Sequence, residues 1–240
     1  MTLTADTNTH PVATFGSGGA EPYARALRRE GRLQLVRADA PVAPGSPAPS
    51  TGAADVDGPF DVARWSSAAD AADLSTLAGA RSVLDIGCGP ARMVRAAVGL
   101  GIEALGIDVS ETAVAMAVDA GLPVAAGSVF DPLDGEGGWH VALLLDGNIG
   151  IGGDPTALLT RCSEVIASNG SVVVETAHDD SADEFYDAHV VDDRGLTSAT
   201  FPWAEVGRAA LPGHARRAGL EVAQTWSVDS RTFCRLVRTR

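Results

Sequence analysis

The chain predicts a doubly wound α/β domain with a mostly parallel, seven-stranded sheet, on three observations. From about residue 66, short apolar runs alternate with helical stretches. Several helical stretches close on a glycine (Gly101, Gly121, Gly170, Gly219), where a left-handed residue ends a helix most easily. The chain finishes in two β-rich runs, 220–227 and 231–238, joined by a short turn. They read as a terminal hairpin that adds an antiparallel strand at the end of the sheet.

Each element follows from local chemistry. Residues 66–77 have a helical pattern, and 81–86 form an apolar strand that enters a glycine turn. Pro90 suits the first turn of a helix over 90–100. Residues 102–107 form the next strand, and Ser110 caps a helix reaching Ala120. Residues 123–126 are strand-like, and 141–145 form the continuous apolar run of a buried parallel strand. Asp154 and Pro155 supply a cap and a first helical position for 154–167, and 171–176 are another buried strand. The long segment 177–212 has no place in the parallel sheet and reads as a lid.

The start of the chain is different. Residues 1–58 read as an irregular segment with a Pro-, Ala- and Ser-rich linker at 40–50, apart from a short helix over 21–30 that ends at Gly31. The folded domain is expected to span 59–240. Residues 1–13 have neither a basic start nor an apolar stretch, so they do not form a secretory signal. No apolar run reaches the roughly 18 residues of a membrane helix. The three cysteines are odd in number and far apart, which argues against both a disulfide framework and a zinc site. The expected setting is a reducing cytoplasm. All positive charge is arginine, and the absence of lysine beside abundant Ala and Gly fits a GC-rich bacterial genome. The formal net charge of −13 repels phosphate backbones and makes a nucleic-acid partner the wrong expectation.

Chemistry concentrates at the predicted strand ends. In Val83-Leu84-Asp85-Ile86-Gly87-Cys88-Gly89-Pro90 an apolar strand ends in an acid, then Gly-x-Gly, then a helix start. Glycine lets the backbone turn tightly and approach a ligand, and ligands of such sheets bind beyond the carboxyl ends of the strands. Asp108 closes the next strand about twenty residues on, where a carboxylate accepts hydrogen bonds from the ribose hydroxyls of an adenosine. The run 144–155 carries four glycines before a capped helix, with Asp146 and Asn148 at the strand's carboxyl end. His178 follows the fifth predicted strand. The acidic stretch 175–193 contains no Lys or Arg and reads as a solvated face. Its His and acid spacings match no familiar metal-ligand pattern, so no metal is expected.

These residues resemble the class I S-adenosylmethionine-dependent methyltransferases, small-molecule type, over roughly 66–240. Asp85, Gly87 and Gly89 match the first three fixed positions of that family's acidic-x-Gly-x-Gly-x-Gly motif, and Ala91 stands at the last. Asp108 matches the ribose-binding acid, with Val109 beside it. The stretch 127–131 falls where the family contacts adenine, with Ser128 in place of the common Asp and Val129 next to it. The run 144–155 resembles one carried by small-molecule methyltransferases of actinobacteria. The resemblance implies a Rossmann-like sheet and S-adenosyl-L-methionine as cofactor. Its implied cofactor contacts are Asp85, Gly87, Cys88, Gly89, Asp108, Val109, Ser128, Val129 and Asp146. Asp146, Asn148 and His178 are the expected catalytic residues, acting on an unidentified small-molecule acceptor, with no membrane partner. Oligomeric state is left open. Two other readings stand beside this one. An NAD(P)-dependent oxidoreductase would want a third glycine where Arg92 stands, and a non-catalytic adenosylmethionine-binding protein would fit Ala91 and the missing adenine Asp.

Overall fold

The computed structural model describes Phe15 and residues 21–28, 32–38, 62–65 and 67–239. The Pro-rich stretch lies outside them. The main sheet contains β2 (Ser82–Ile86), β3 (Glu103–Asp108), β4 (Val124–Ala126), β5 (Trp139–Leu144), β6 (Ile166–Glu175), β9 (Leu220–Val228) and β10 (Arg231–Arg238). Its order is β4-β3-β2-β5-β6-β10-β9. The pairs β4-β3, β3-β2, β2-β5 and β5-β6 are parallel. The seven-stranded, mostly parallel, doubly wound sheet is therefore the architecture present.

Alternation across the pleat separates two helical layers. Ala142 and Leu144 face the helices α6 (Pro155–Val165) and α7 (Leu211–Arg217), meeting Leu158 and Leu211. Val141 and Leu143 face the other way, toward Met93 and Val94 of α4 (Arg92–Gly99) and Ala72 of α3 (Ala71–Thr76). The helix α5 (Glu111–Asp119) starts at Ser110, whose hydroxyl accepts from the Ala113 N–H at 3.3 Å. Asp154 caps α6 by accepting from the Ala157 N–H at 3.0 Å, with Pro155 at its first position.

The terminal hairpin differs from expectation in one respect. Its antiparallel strand, β10, is not at the end of the sheet but between β6 and β9, antiparallel to both. Burial accounts for this: Phe233, Cys234 and Leu236 of β10 are fully enclosed, while most of β9 is exposed, as befits an edge.

The segment 177–212 and the start of the chain meet in a second sheet. Within 177–212, β7 (Asp183–Asp192) and β8 (Phe201–Val206) pair antiparallel. The strand β1 (Leu33–Arg37) adds to the other edge of β7. The reading of 1–58 as irregular is corrected here for β1, whose strand partner lies beyond the boundary drawn at residue 59. The helix α1 (Glu21–Leu27) forms within the stretch 21–30 expected to be helical. Tyr23, Leu27 and Leu33 are buried with Val190, Phe201 and Trp203 in a third apolar cluster. A last short helix, α2 (Val62–Trp65), packs Val62 there too. Among the described residues no helix is long and apolar enough to cross a membrane.

Candidate active site

A cavity lies at the carboxyl ends of β2, β3 and β5, where ligands of such sheets bind. The turn after β2 opens it. Gly87 and Gly89 take positive φ, 69° and 53°. An added Cβ on Gly87 would stand 2.7 Å from the Asn148 Nδ2, so only glycine fits beneath that side chain. Ala91, at the last position of the glycine pattern, adopts φ 65°, ψ 42°. The backbone thus keeps a left-handed turn that glycine would take freely, and the alanine methyl is buried beside α4.

Asp108 ties the turn to β3. One carboxylate oxygen accepts from the Gly89 N–H at 2.8 Å and the other from the Ser110 N–H at 2.8 Å. Burial raises the Asp108 pKa, opposed by the N–H groups of Ser110, Gly89 and Val109. Asp85 also lines the cavity, and burial pushes its carboxyl up to about 7 against the pull of Arg92. Cys88 and Val109 complete the floor, with burial pushing the Cys88 thiol far up and keeping it protonated. Ser128 and Val129 form the far wall. The Ser128 hydroxyl accepts from the Phe130 N–H at 3.2 Å, and Arg161 donates to the Val129 carbonyl at 2.8 Å, pinning that loop.

Asp146 and Asn148 occupy the mouth of β5. Asp146 has φ 52°, an uncommon conformation for a residue with a side chain. It is held there from three sides. Its N–H donates to Glu175 at 2.8 Å, and its carboxylate meets Arg92 at 2.5 Å and Arg231 at 3.4 Å. Both arginines also bind the fully buried Asp73, at 2.6 and 2.7 Å. Asn148 donates through Nδ2 to the carbonyls of Ile86 (2.8 Å) and Gly87 (3.0 Å). That fixes the amide with Oδ1 on the side away from the turn.

Ten of the expected site residues thus share one cavity. His178 does not join them: it is exposed, on the loop before β7, and does not line the cavity. The strand β6 ends at Glu175, and the Ala177 N–H then donates to the Val206 carbonyl of β8, so the chain turns toward the second sheet before reaching residue 178. Sequence reasoning missed Arg92 as a site residue, along with Phe15, Tyr23 and Met93. Arg92 was legible as the residue in the third-glycine position, but nothing local showed that it would be buried against two acids. The glycine run after β5 also has a tertiary cause. A Cβ on Gly150 would fall 2.3 Å from the Ala204 carbonyl, and one on Gly153 would fall 2.8 Å from Pro202, so the run lets β8 dock and brings Trp203 to the cavity.

Neither a protein-family model nor a curated protein sequence matches this chain. Among solved structures it is similar to an S-adenosylmethionine-dependent methyltransferase from Bacteroides fragilis in complex with S-adenosyl-L-homocysteine. The identity is 15%, the TM-score 0.69, and the match covers 91% of this chain and 93% of that one. It is also similar to the CcbJ methyltransferase from Streptomyces caelestis (18% identity, TM-score 0.54, 70% of this chain and 87% of that one). A third is the Burkholderia thailandensis 1,6-didemethyltoxoflavin-N1-methyltransferase (17%, TM-score 0.52, 70% and 77%). At these identities the likeness is one of fold. The chain has the Rossmann-like fold of the S-adenosylmethionine-dependent methyltransferases.

Proposed function

We propose that this protein is an S-adenosylmethionine-dependent methyltransferase acting on a small-molecule acceptor in the cytoplasm. The observation that carries the reading is the bond from the Gly89 N–H to Asp108 (2.8 Å), which joins the glycine turn to the acidic strand end in one cavity. The donor set fits a nucleoside with a cationic tail. The Asp108 oxygens accept the Gly89 and Ser110 N–H groups, and a carboxylate, with about four lone-pair sites, keeps capacity for a ribose hydroxyl. Asn148 packs over Gly87 with no room for a Cβ, and Asp85 lines the same cavity.

S-adenosylmethionine supplies an already activated methyl group, so little covalent work falls to the protein. The residues of this chain bind, orient and exclude water, which is where most of the acceleration of such a transfer arises. Asp146, expected as a catalytic residue, is engaged by Arg92 and Arg231 and serves here as a fixed anion at the mouth of β5. Calorimetry tests the reading: S-adenosylhomocysteine should bind, and NADH should not. Heat from NADH alone would overturn it.

The raised pKa of Asp85 gives a pH signature. Below about pH 7 its carboxyl is protonated before a ligand binds. A bound ammonium group favours the ionised form, so binding releases a proton at acid pH. Affinity for S-adenosylhomocysteine should rise roughly tenfold from pH 6 to pH 8. For folding stability without ligand the sign is opposite. A carboxyl raised above its unfolded value favours the fold below about pH 4, and this contribution is lost as pH rises through about 7. Titrations in buffers of different ionisation heat measure the proton; an affinity flat across this range would contradict the role.

Asn148 faces the cavity from the mouth of β5. Asn148→Ala should lower kcat about tenfold while changing S-adenosylhomocysteine affinity less than threefold, the pattern of a group that positions reactants rather than the nucleoside. Equal losses in both would place it with the cofactor contacts instead.

A further inference from the structure

The cavity has two chemically different ends. The strand-end side carries its charged lining residues, Asp85, Arg92, Asp108 and Asp146. The lining also includes Phe15, Tyr23, Trp65 and Trp203; of these Tyr23 reaches back to the glycine turn, its hydroxyl 3.4 Å from where a Cβ on Gly89 would stand. With Phe130, five of the chain's twelve aromatic residues (six Phe, four Trp, two Tyr) line this one cavity. Three separate pieces of chain deliver the wall: the start of the chain, α2, and β8 of the second sheet.

We propose that this aromatic side is the acceptor subsite, and that it takes a flat aromatic molecule without an anionic group. The proposal rests on the methyltransferase reading for the end that holds the cofactor. Phe15 shows that the wall packs a flat ring. Its centroid lies 4.9 Å from Tyr23, 6.3 Å from Trp65 and 5.8 Å from Trp203, with interplanar angles of 59°, 86° and 44°. These are the distances and tilts that aromatic pairs prefer. Trp203 is held at its place because Gly150 lets its indole approach: a Cβ there would meet Trp203 at 2.7 Å. An anion finds no counter-charge on this side. Among the described lining residues Arg92 is the cation, and it is committed to Asp73 and Asp146. Asn148 lines the same cavity and donates through Nδ2, so its Oδ1 can accept a hydrogen bond from an O–H or N–H on the ring.

The test uses 1-naphthol, its saturated analogue decahydro-1-naphthol, and 1-naphthoate, titrated into the full chain saturated with S-adenosylhomocysteine. 1-Naphthol should bind and quench tryptophan fluorescence, with the other two at least fivefold weaker. Phe15→Leu keeps apolar volume but removes a ring face. It should weaken 1-naphthol about two- to tenfold, the value of one aromatic pair, and leave S-adenosylhomocysteine affinity within twofold. Equal binding of the flat and saturated probes, preference for the naphthoate, or wild-type naphthol affinity in Phe15→Leu would each overturn the proposal. If S-adenosylhomocysteine itself gives no heat, the cofactor reading fails. The probes are then titrated into the protein alone, where ring-selective binding weakened by Phe15→Leu supports the subsite and its absence overturns it.

Discussion

Replacing Arg231 by alanine is expected to cost the fold about 3–5 kcal/mol, the loss seen when one partner of a buried ion cluster is removed. Arg231 is mostly buried and bridges chain segments far apart in sequence. Its guanidinium binds Glu175 through two bonds of 2.6 Å, Asp73 at 2.7 Å and Asp146 at 3.4 Å. Without it, Glu175 and Asp73 lose a counter-ion at a mostly buried position, while Arg92 still faces Asp73 and Asp146. The left-handed backbone at Asp146 would lose one of its three restraints. Chemical denaturation of Arg231→Ala measures the effect. Arg231→Lys, which restores a charge but not the fork of donors, should recover only part of it. A loss under 1 kcal/mol would show that the cluster is held by Arg92 and solvent instead.

Asp108→Ala should weaken S-adenosylhomocysteine binding by about 1.5–3 kcal/mol, the value of hydrogen bonds to a charged group. Part of the loss is local. The Gly89 and Ser110 N–H groups each lose a buried acceptor, so the glycine turn and the start of α5 both loosen. Asp108→Asn separates the two effects: its carbonyl can keep one backbone partner, while its NH₂ cannot accept from the other or from a second hydroxyl. Its affinity should fall between alanine and wild type. An alanine variant that stays folded and binds S-adenosylhomocysteine as well as wild type would remove Asp108 from the cofactor site.

Much of the fold was legible because its signals are local. The apolar run before Asp85, the caps at Ser110 and Asp154, and the two runs flanking the 228–230 turn each depend on residues within a few positions of one another. Asp85, Gly87, Gly89 and Asp108 were legible for the same reason: an acid or glycine at the end of a parallel strand reaches the carboxyl edge of the sheet whatever surrounds it. The strand β1 was not. Leu33-Gln34-Leu35 alternates as a strand should, but five residues beside a Pro-rich stretch do not identify a strand until β7 pairs with them.

The remaining site residues were decided by tertiary structure alone. That Asp146 is a clamped anion depends on Arg92 and Arg231, 54 and 85 positions away. Whether His178 reaches the cavity depends on where the chain turns after β6. The aromatic wall exists only because the second sheet carries Trp203 over the glycine run and packs Phe15 and Tyr23 against it. Strand, cap and turn preferences act between neighbours in the chain. Ion pairing and ring packing act between neighbours in space, and spacing along the chain does not encode that proximity.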